Sequence, residues 1–223
     1  MHQESNGRFR FLFAALMILV AVMPFLRPGA LGAGILQVLF TLLLFSGLYA
    51  VSDGKRALVV ASAFAGPALV FLWAGRFMVN TALDGIGALL LAGFLVFTAT
   101  EILKYIVRAR RVTSELIFGA VCVYLMMGIV GALLFAVLDL WSPGSLALPA
   151  GAGSGVGDAT HFSAVAYYSF VTLTTLGYGD ITPVSRLARS LSTMEAVTGQ
   201  LYLAVLVARM VGLQIAHSTP ASD

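Results

Sequence analysis

The sequence predicts an all-α membrane protein, and three observations lead to that fold class. First, 60% of the 223 residues are hydrophobic and only 10% are charged, whereas a soluble domain has about 25% charged residues. Second, the apolar residues gather in six long segments that show no strand-like alternation. Third, a shorter apolar run follows a glycine-rich stretch between the last two segments. This composition leaves too little polar surface to cover a soluble core.

Each long segment is near or above the ~20 residues that a helix needs to span the hydrocarbon of a bilayer. The segments cover 9–26, 33–51, 57–75, 85–107, 115–138 and 187–213. Because a helix satisfies its own backbone groups in lipid, we predict six transmembrane helices. Arg8 and Arg10 precede the first segment, as they would in a secretory signal. We interpret it as a span, because the run is long and five further spans follow.

Lysines and arginines indicate the orientation, because they concentrate in cytoplasmic loops. An inside N-terminus places nine of them inside and four outside. The inner set is Arg8, Arg10, Lys55, Arg56, Lys104, Arg108, Arg110, Arg111 and Arg209, and the outer set is Arg27, Arg76, Arg186 and Arg189. We therefore predict a multi-pass protein of the plasma membrane, most simply a bacterial inner membrane, with both termini cytoplasmic. This distribution explains the excess of basic over acidic residues, so no nucleic-acid partner is needed to account for it.

The region between the fifth and sixth segments has a different character. Residues 139–161 are rich in Gly, Ala, Ser and Pro, which favours an extracellular loop. Residues 162–174 form an apolar run that is too short to cross a membrane. We predict a re-entrant half-helix there, with Asp158 or Thr160 as its N-cap.

The run that follows the half-helix carries the strongest functional signal. Gly177 and Gly179 alternate with other residues, and glycine adopts positive φ without steric cost. Such a run allows successive carbonyls to point the same way. Four copies around an axis would stack these carbonyls into rings that replace the water around a dehydrated cation. The C-terminus of the half-helix, near Thr174, would add partial negative charge.

The run Thr174-Thr175-Leu176-Gly177-Tyr178-Gly179-Asp180 resembles the signature of potassium channels, with Leu176 in place of the usual Val. The resemblance covers about residues 115–213, with Pro183, Arg189 and Gly199 at positions that match the family pattern. It implies a homotetramer whose K⁺ is transported cargo rather than a cofactor. The first four spans resemble the peripheral domain of six-span channels only in number and length.

The resemblance also implies roles for individual residues. Backbone carbonyls of the filter would coordinate K⁺, and side chains behind it would support its diameter. The filter set is Thr175, Leu176, Gly177, Tyr178 and Gly179, and the supporting set is Thr174, Asp180, Tyr167 and Tyr168. The ring of Tyr178 would point into a cuff formed by Tyr167 and Tyr168, and Asp180 would bond to Tyr167. Many relatives have Trp at the Tyr167 position, and some have an acid at the Val171 position, so their hydrogen-bond network is not assumed here.

The sixth span is the predicted gate. Helical spacing places four residues on one face that would line an inner cavity, namely Ala196, Gln200, Leu203 and Val207. Gly199 matches the hinge glycine of the family. Two interpretations stay open for it: a point of bending, or a site of close helix packing.

Glu195 is the least expected residue, because a carboxyl group within a transmembrane helix is costly. One interpretation is a buried acid, protonated or pH-sensing, that supports the filter. The other is a structural hydrogen bond, for example to Thr174 or to a backbone group.

Voltage sensing requires arginines at every third residue through a span. The fourth segment is apolar from Gly85 to Thr100, and Lys104, Arg108 and Arg111 follow at its inner end. We interpret these three residues as anchors at the inner membrane surface. Strong voltage gating is therefore not expected.

We divide the chain into a peripheral four-helix domain (1–111), a pore domain (112–213) and a short cytoplasmic tail (214–223). From the length of this tail we do not expect a nucleotide-binding or calcium-gating domain. The expected partners are other copies and membrane lipid. For gating, four alternatives stay open: the membrane domain itself, lipid or protons, an unidentified regulatory partner, and a constitutive leak. No enzyme is expected, because His2, His161 and His217 lie near the termini or in the loop. The sequence therefore offers no Ser–His pair at membrane depth and no metal-ligand cluster.

The expected function is passive, potassium-selective conduction. Two alternatives are a weakly selective cation channel and a non-conducting membrane sensor or scaffold that keeps the pore fold. A potassium-uptake transporter subunit usually carries several pore repeats, whereas this chain has one filter motif.

Overall fold

A computed structural model describes residues 7–75 and 81–218, and the side chains only as far as residue 214. Most of these residues are helical. The elements are α1 (Arg8–Val22), a 3₁₀ turn (Met23–Phe25), α2 (Ala30–Ala50), α3 (Lys55–Ala74), α4 (Thr81–Arg108), α5 (Ser114–Trp141), β1 (Leu146–Ala147), α6 (Ala159–Leu173), β2 (Thr182–Pro183) and α7 (Arg186–Ser218). His2, Arg76 and positions 219–223 of the predicted tail lie outside the described residues, and so does the side chain of His217.

Six of the described helices are long and apolar enough to cross a membrane, judged by length and composition. They are α1 with its 3₁₀ turn, α2, α3, α4, α5 and α7, and each corresponds to one predicted segment. Two helices extend beyond the C-terminal ends of their predicted segments, since α5 continues to Trp141 and α7 to Ser218. The shorter α6 begins at Ala159, three residues before the predicted start of the half-helix.

α5 is the central helix of the bundle. It packs against α4 and α1 on one side and against α6 and α7 on the other. Small residues along α5 allow this close approach. A Cβ atom at Gly128 would lie 2.4 Å from the Phe170 ring on α6, and a Cβ atom at Gly119 would lie 3.3 Å from the Phe9 ring on α1. The first four helices contact the region 112–213 mainly through α5, and α2 also contacts α6, with the rings of Phe40 and Phe162 5.1 Å apart.

Several charged side chains meet at one end of the bundle. Arg8 forms an ion pair with Asp53, and Arg10 lies 3.3 Å from Glu115. Arg209 of α7 reaches the C-terminal end of α4 at the same end. α4 ends at Arg108, so Arg111 lies beyond the helix and does not continue the helical spacing that the sequence suggests.

The helices differ in how much of their apolar surface is covered within one chain. In the most apolar 18-residue window of each helix, 61% of the residues are buried in α5 but only 6% in α7. The exposed apolar side chains of α7 include Met194, Leu201 and Val205. A single chain thus leaves a broad apolar face of α7 uncovered.

Candidate functional site

The start of α6 is held by Asp158. Its Oδ1 accepts hydrogen bonds from the backbone N–H groups of Thr160 (2.8 Å) and His161 (3.1 Å). Asp158 is therefore the N-cap, and Thr160 instead donates its hydroxyl to the same carboxylate at 2.5 Å. Partial burial raises the pKa of Asp158, but these hydrogen bonds outweigh it, and the net pKa lies below the ordinary value.

His161 lies within α6 and is fully buried, so its assignment to the extracellular loop is wrong. Its Nε2 lies 3.1 Å from Oδ2 of Asp139, near the end of α5. The other oxygen of Asp139 accepts a hydrogen bond from the backbone N–H of Gly144 at 3.1 Å. The pair thus ties the start of α6 to α5 and to the following turn, a contact that no sequence pattern indicated.

The end of α6 has the hydrogen bonds of a Schellman motif. The N–H of Thr175 bonds to the carbonyl of Thr172, and the N–H of Leu176 bonds to the carbonyl of Val171, both at 3.0 Å. In this motif the residue after the cap is left-handed, and here that residue is Thr175, with φ of 59°. Leu176 therefore leaves the helix end in a direction that this motif defines.

Left-handed residues then alternate along the run. Positive φ occurs at Thr175 (59°), Gly177 (58°) and Gly179 (81°), but not at Leu176 or Tyr178. Carbonyls of an ordinary extended chain point to opposite sides in turn, and a reversal of φ at every second residue removes that alternation. The sequence indicated the two glycines. It gave no signal for Thr175, because a β-branched residue at positive φ is rare and costs roughly 1–3 kcal/mol.

Residues 175–180 are exposed in the single chain. Leu176 is 58% exposed and Tyr178 is 68% exposed, which is unusual for large apolar side chains. Tyr178 forms no ring pair with other described residues, so no aromatic cuff closes around it within one chain. Tyr168 instead packs on Phe135 with ring centroids 4.9 Å apart, and its hydroxyl lies 2.6 Å from Ser192 Oγ.

Asp180, at the end of the run, accepts a hydrogen bond from the Tyr167 hydroxyl at 2.7 Å. This hydrogen bond holds the pKa of Asp180 below its ordinary value and raises the pKa of Tyr167. The structure thus brings together the acid and the tyrosine that the sequence predicted as partners.

The chain that leaves the run is fixed to the preceding loop. β2 pairs antiparallel with β1, with Thr182 opposite Ala147. The N–H of Val184 bonds to the carbonyl of Ser145 at 2.8 Å, and Arg189 Nε donates to the carbonyl of Pro183 at 3.2 Å. Both ends of the exposed run are therefore anchored.

α7 approaches the end of α6 at Gly199. A Cβ atom there would lie 2.5 Å from the carbonyl oxygen of Leu173, so close packing requires glycine. α7 continues as a helix through this position. One residue later, Gln200 Nε2 lies 3.3 Å from the Thr175 hydroxyl. Of the other residues on the predicted cavity face, Ala196 is half-buried, whereas Leu203 and Val207 are exposed within one chain.

Glu195 contacts α6, but at Ser169 rather than Thr174. The Ser169 hydroxyl lies 2.5 Å from Glu195 Oε1, and the Thr174 hydroxyl donates to the carbonyl of Phe170 at 2.6 Å. The suggested Thr174 partner is therefore wrong. The Thr174 hydroxyl already donates to the Phe170 carbonyl, because a helical threonine readily bonds to the carbonyl four residues earlier.

Helices that are long and apolar enough to cross a membrane thus surround a short capped helix, and an exposed run of residues follows it. Residues 112–213 match the model of a family described as ion channels. This segment, from α5 through most of α7, is therefore similar to that ion channel family. No curated protein and no solved structure matched the chain.

Proposed function

We propose that this protein is a potassium-selective channel in which four copies surround one axis and K⁺ passes down its gradient. The carbonyls of Thr175, Leu176, Gly177 and Tyr178 would coordinate dehydrated K⁺, and Gly179 would complete the filter. The observation that carries this proposal is the alternation of positive φ at residues 175, 177 and 179 directly after the Schellman end of α6. That alternation supports a common direction for successive carbonyls.

Electrostatics favours a cation in this arrangement. The C-terminal end of α6 carries partial negative charge, and four such ends directed at one axis would stabilise K⁺ below the filter. Rings of carbonyl oxygens then replace the hydration shell that K⁺ loses on entry. Asp180, whose pKa lies below the ordinary value, keeps its negative charge near the outer mouth and concentrates cations there.

The apolar surface that one chain leaves uncovered supports a homotetramer. Leu176 and Tyr178 are largely exposed, and α7 presents Met194, Leu201 and Val205 outward. Contact with other copies would bury part of this surface, and the ring of Tyr178 would then pack between copies, near Tyr167. Membrane lipid would cover the remaining apolar surface of the bundle.

The same proposal assigns the rest of the chain. Residues 1–111 form a peripheral membrane domain and residues 112–213 the pore domain, with α6 re-entrant and Gly199 at the point where α7 would bend. The bundle end with Arg8, Arg10 and Arg209 faces the cytoplasm, as the positive-inside rule requires. The protein would then lie in a plasma membrane, with both termini inside.

The test is K⁺ flux from proteoliposomes, followed by reversal potentials in mixed K⁺ and Na⁺. Gly177→Ala should abolish selective flux, because alanine at φ of 58° is strained. Gly157→Ala is the matched control, since both glycines have open space around Cβ but only Gly177 has positive φ. We expect the control to conduct like the wild type.

Two outcomes would overturn the proposal. A folded tetramer without K⁺ flux would indicate a membrane scaffold or sensor. Flux with a reversal potential that does not distinguish K⁺ from Na⁺ would indicate a weakly selective cation channel.

A further inference from the structure

A buried polar junction joins three helices behind the filter run. The hydroxyl of Ser169 on α6 lies 2.7 Å from the carbonyl oxygen of Gly128 on α5 and 2.5 Å from Oε1 of Glu195 on α7. Ser169 is fully buried. It is the only group at this junction that contacts both of the others, so any shift of α6 would disturb both contacts.

The room for this junction comes from α5. A Cβ atom at Gly131 would lie 2.0 Å from Glu195 Oε1 and 2.5 Å from Ser169 Oγ. Any side chain at Gly131 would therefore displace the carboxyl group or the hydroxyl. Gly131 therefore allows the Glu195–Ser169 pair to pack directly against α5.

Counting protons at Ser169 determines which group donates. A serine hydroxyl has one proton to donate, and a backbone carbonyl can only accept. If Ser169 donates to Gly128, its contact with Glu195 is a hydrogen bond only when the carboxyl group supplies the proton. Both short contacts are satisfied together when Glu195 is a neutral acid.

The surroundings of Glu195 favour the neutral form as well. Within residues 7–75 and 81–214, the ion pairs do not include Glu195, and no Lys, Arg or His lies within ion-pair distance of it. Its Oε2 is buried without a hydrogen-bond partner among these residues. It borders an apolar groove between α4, α5 and α7, lined by side chains such as Met126 and Leu201. An unpaired buried carboxylate is far more costly there than an uncharged acid.

We propose that Glu195 is an uncharged carboxylic acid that donates to Ser169, while Ser169 donates to the carbonyl of Gly128. This relay holds α6 between α5 and α7 and so positions the filter that follows α6. Glu195 is a positioning residue, since it acts through Ser169 and does not touch the ion. The consequence for the filter rests on the proposed channel function, whereas the protonation state does not.

Infrared spectroscopy of the full chain in lipid vesicles at neutral pH tests the protonation state. A protonated carboxyl group absorbs apart from ionised carboxylates, and its band shifts in D₂O. We expect such a band in the wild type and its loss in Glu195→Gln. Ser169→Ala should move the band, because the hydrogen bond is lost. Glu101→Gln is the control, since Glu101 is paired with Lys104 at 2.6 Å and should leave the band unchanged.

Ion selectivity tests the positioning role. The amide of Glu195→Gln can still donate to Ser169, so this variant should keep the K⁺/Na⁺ permeability ratio. Glu195→Met has similar length but no donor, and its ratio should fall by roughly tenfold, as expected for loss of about 1.4 kcal/mol. Ser169→Ala is a second route to the same loss if the methionine variant does not fold.

Absence of a carboxylic acid band that depends on Glu195 would overturn the assigned protonation state. Equal selectivity of the glutamine, methionine and Ser169→Ala variants would overturn the positioning role. Absence of K⁺ flux in the wild type would refute the channel function instead, and it would leave the infrared result standing.

Discussion

The two ends of α7 are held by different parts of the molecule. Its N-terminal half contacts α6 and the run that follows it: Glu195 bonds to Ser169, Gly199 packs on Leu173, and Gln200 reaches Thr175. Its C-terminal part contacts the end of α4. There Arg209 donates to the carbonyls of Ile106 (3.2 Å) and Ala109 (3.1 Å) and also to that of Val107.

The contrast separates two tasks of one helix. In the proposed channel, contacts of the N-terminal half lie beside the filter and involve α5 and α6, so they would bear on selectivity. The Arg209 contact joins α7 to the C-terminal end of α4, where the partial negative charge of the helix end attracts a cation. In the proposed channel, Arg209 therefore couples the C-terminal end of α4 to the C-terminal part of α7, where the gate is proposed.

The largest effect is expected from Gly199→Ala. The added Cβ atom would lie 2.5 Å from the carbonyl oxygen of Leu173, so α7 and the end of α6 must move apart. Overpacking of this kind costs roughly 1–3 kcal/mol. We expect a less thermostable assembly and loss of K⁺/Na⁺ selectivity, measured by thermal unfolding and by reversal potentials.

Gly212→Ala is the matched control in the same helix. No heavy atom lies within 4 Å of a Cβ atom at that position. Because alanine favours a helix over glycine by about 1 kcal/mol, this variant should be as stable as the wild type or more stable. If both variants behaved alike, Gly199 would not act through contact with α6.

A smaller effect, on gating alone, is expected from Arg209→Gln. The change removes a charged donor that reaches three carbonyls at the end of α4. A coupling of this kind is typically 1–3 kcal/mol, so the open probability should change by roughly tenfold. The K⁺/Na⁺ permeability ratio should not change. Single-channel recording in planar bilayers measures both quantities.

Arg186→Gln, at the outer end of the same helix, controls for loss of one positive charge, and Arg186 is exposed. It should leave the open probability unchanged. Arg209→Lys should fall between the wild type and the glutamine variant, because an ammonium cannot span several carbonyls as a guanidinium does. A change in selectivity in Arg209→Gln would contradict the separation of the two ends.

Much of this architecture could be predicted from local patterns. Apolar segments of spanning length predicted the six long helices, and an apolar run behind Asp158 predicted α6. Gly177 and Gly179 indicated positive φ. These features depend on neighbouring residues in the chain, and composition and short motifs record them directly.

The partners of buried polar groups could not be predicted in the same way. His161 meets Asp139, and Glu195 meets Ser169, because separate helices pack in one register. A side chain with several possible acceptors gives no signal for which one it reaches. The left-handed Thr175 was missed for a different reason, since intrinsic preference argues against it and only the Schellman end of α6 imposes it.

The smallest effect is expected from Tyr167→Phe. This change removes the hydrogen bond from the Tyr167 hydroxyl to Asp180, which does not involve α7. In the wild type the hydrogen bond from Tyr167 lowers the pKa of Asp180 below its ordinary value of 3.8. The pKa of Asp180 in the folded protein is therefore below 3.8. The hydrogen-bonded carboxylate is fully present above pH 3.8, and it is lost only as the pH falls through this lower pKa. Without the hydroxyl, the pKa of Asp180 should rise toward the ordinary value.

The variant should therefore lose the negative charge at the outer mouth at a higher pH during acid titration. Single-channel K⁺ conductance, recorded while the outer solution is acidified, should fall at higher pH than in the wild type, with equal conductance at neutral pH. Tyr168→Phe is the matched control, because the Tyr168 hydroxyl bonds to Ser192 and not to Asp180. Coincident titration curves for Tyr167→Phe and the wild type would show that the hydrogen bond does not control this charge. A fall at neutral pH would show instead that Tyr167 supports the filter directly.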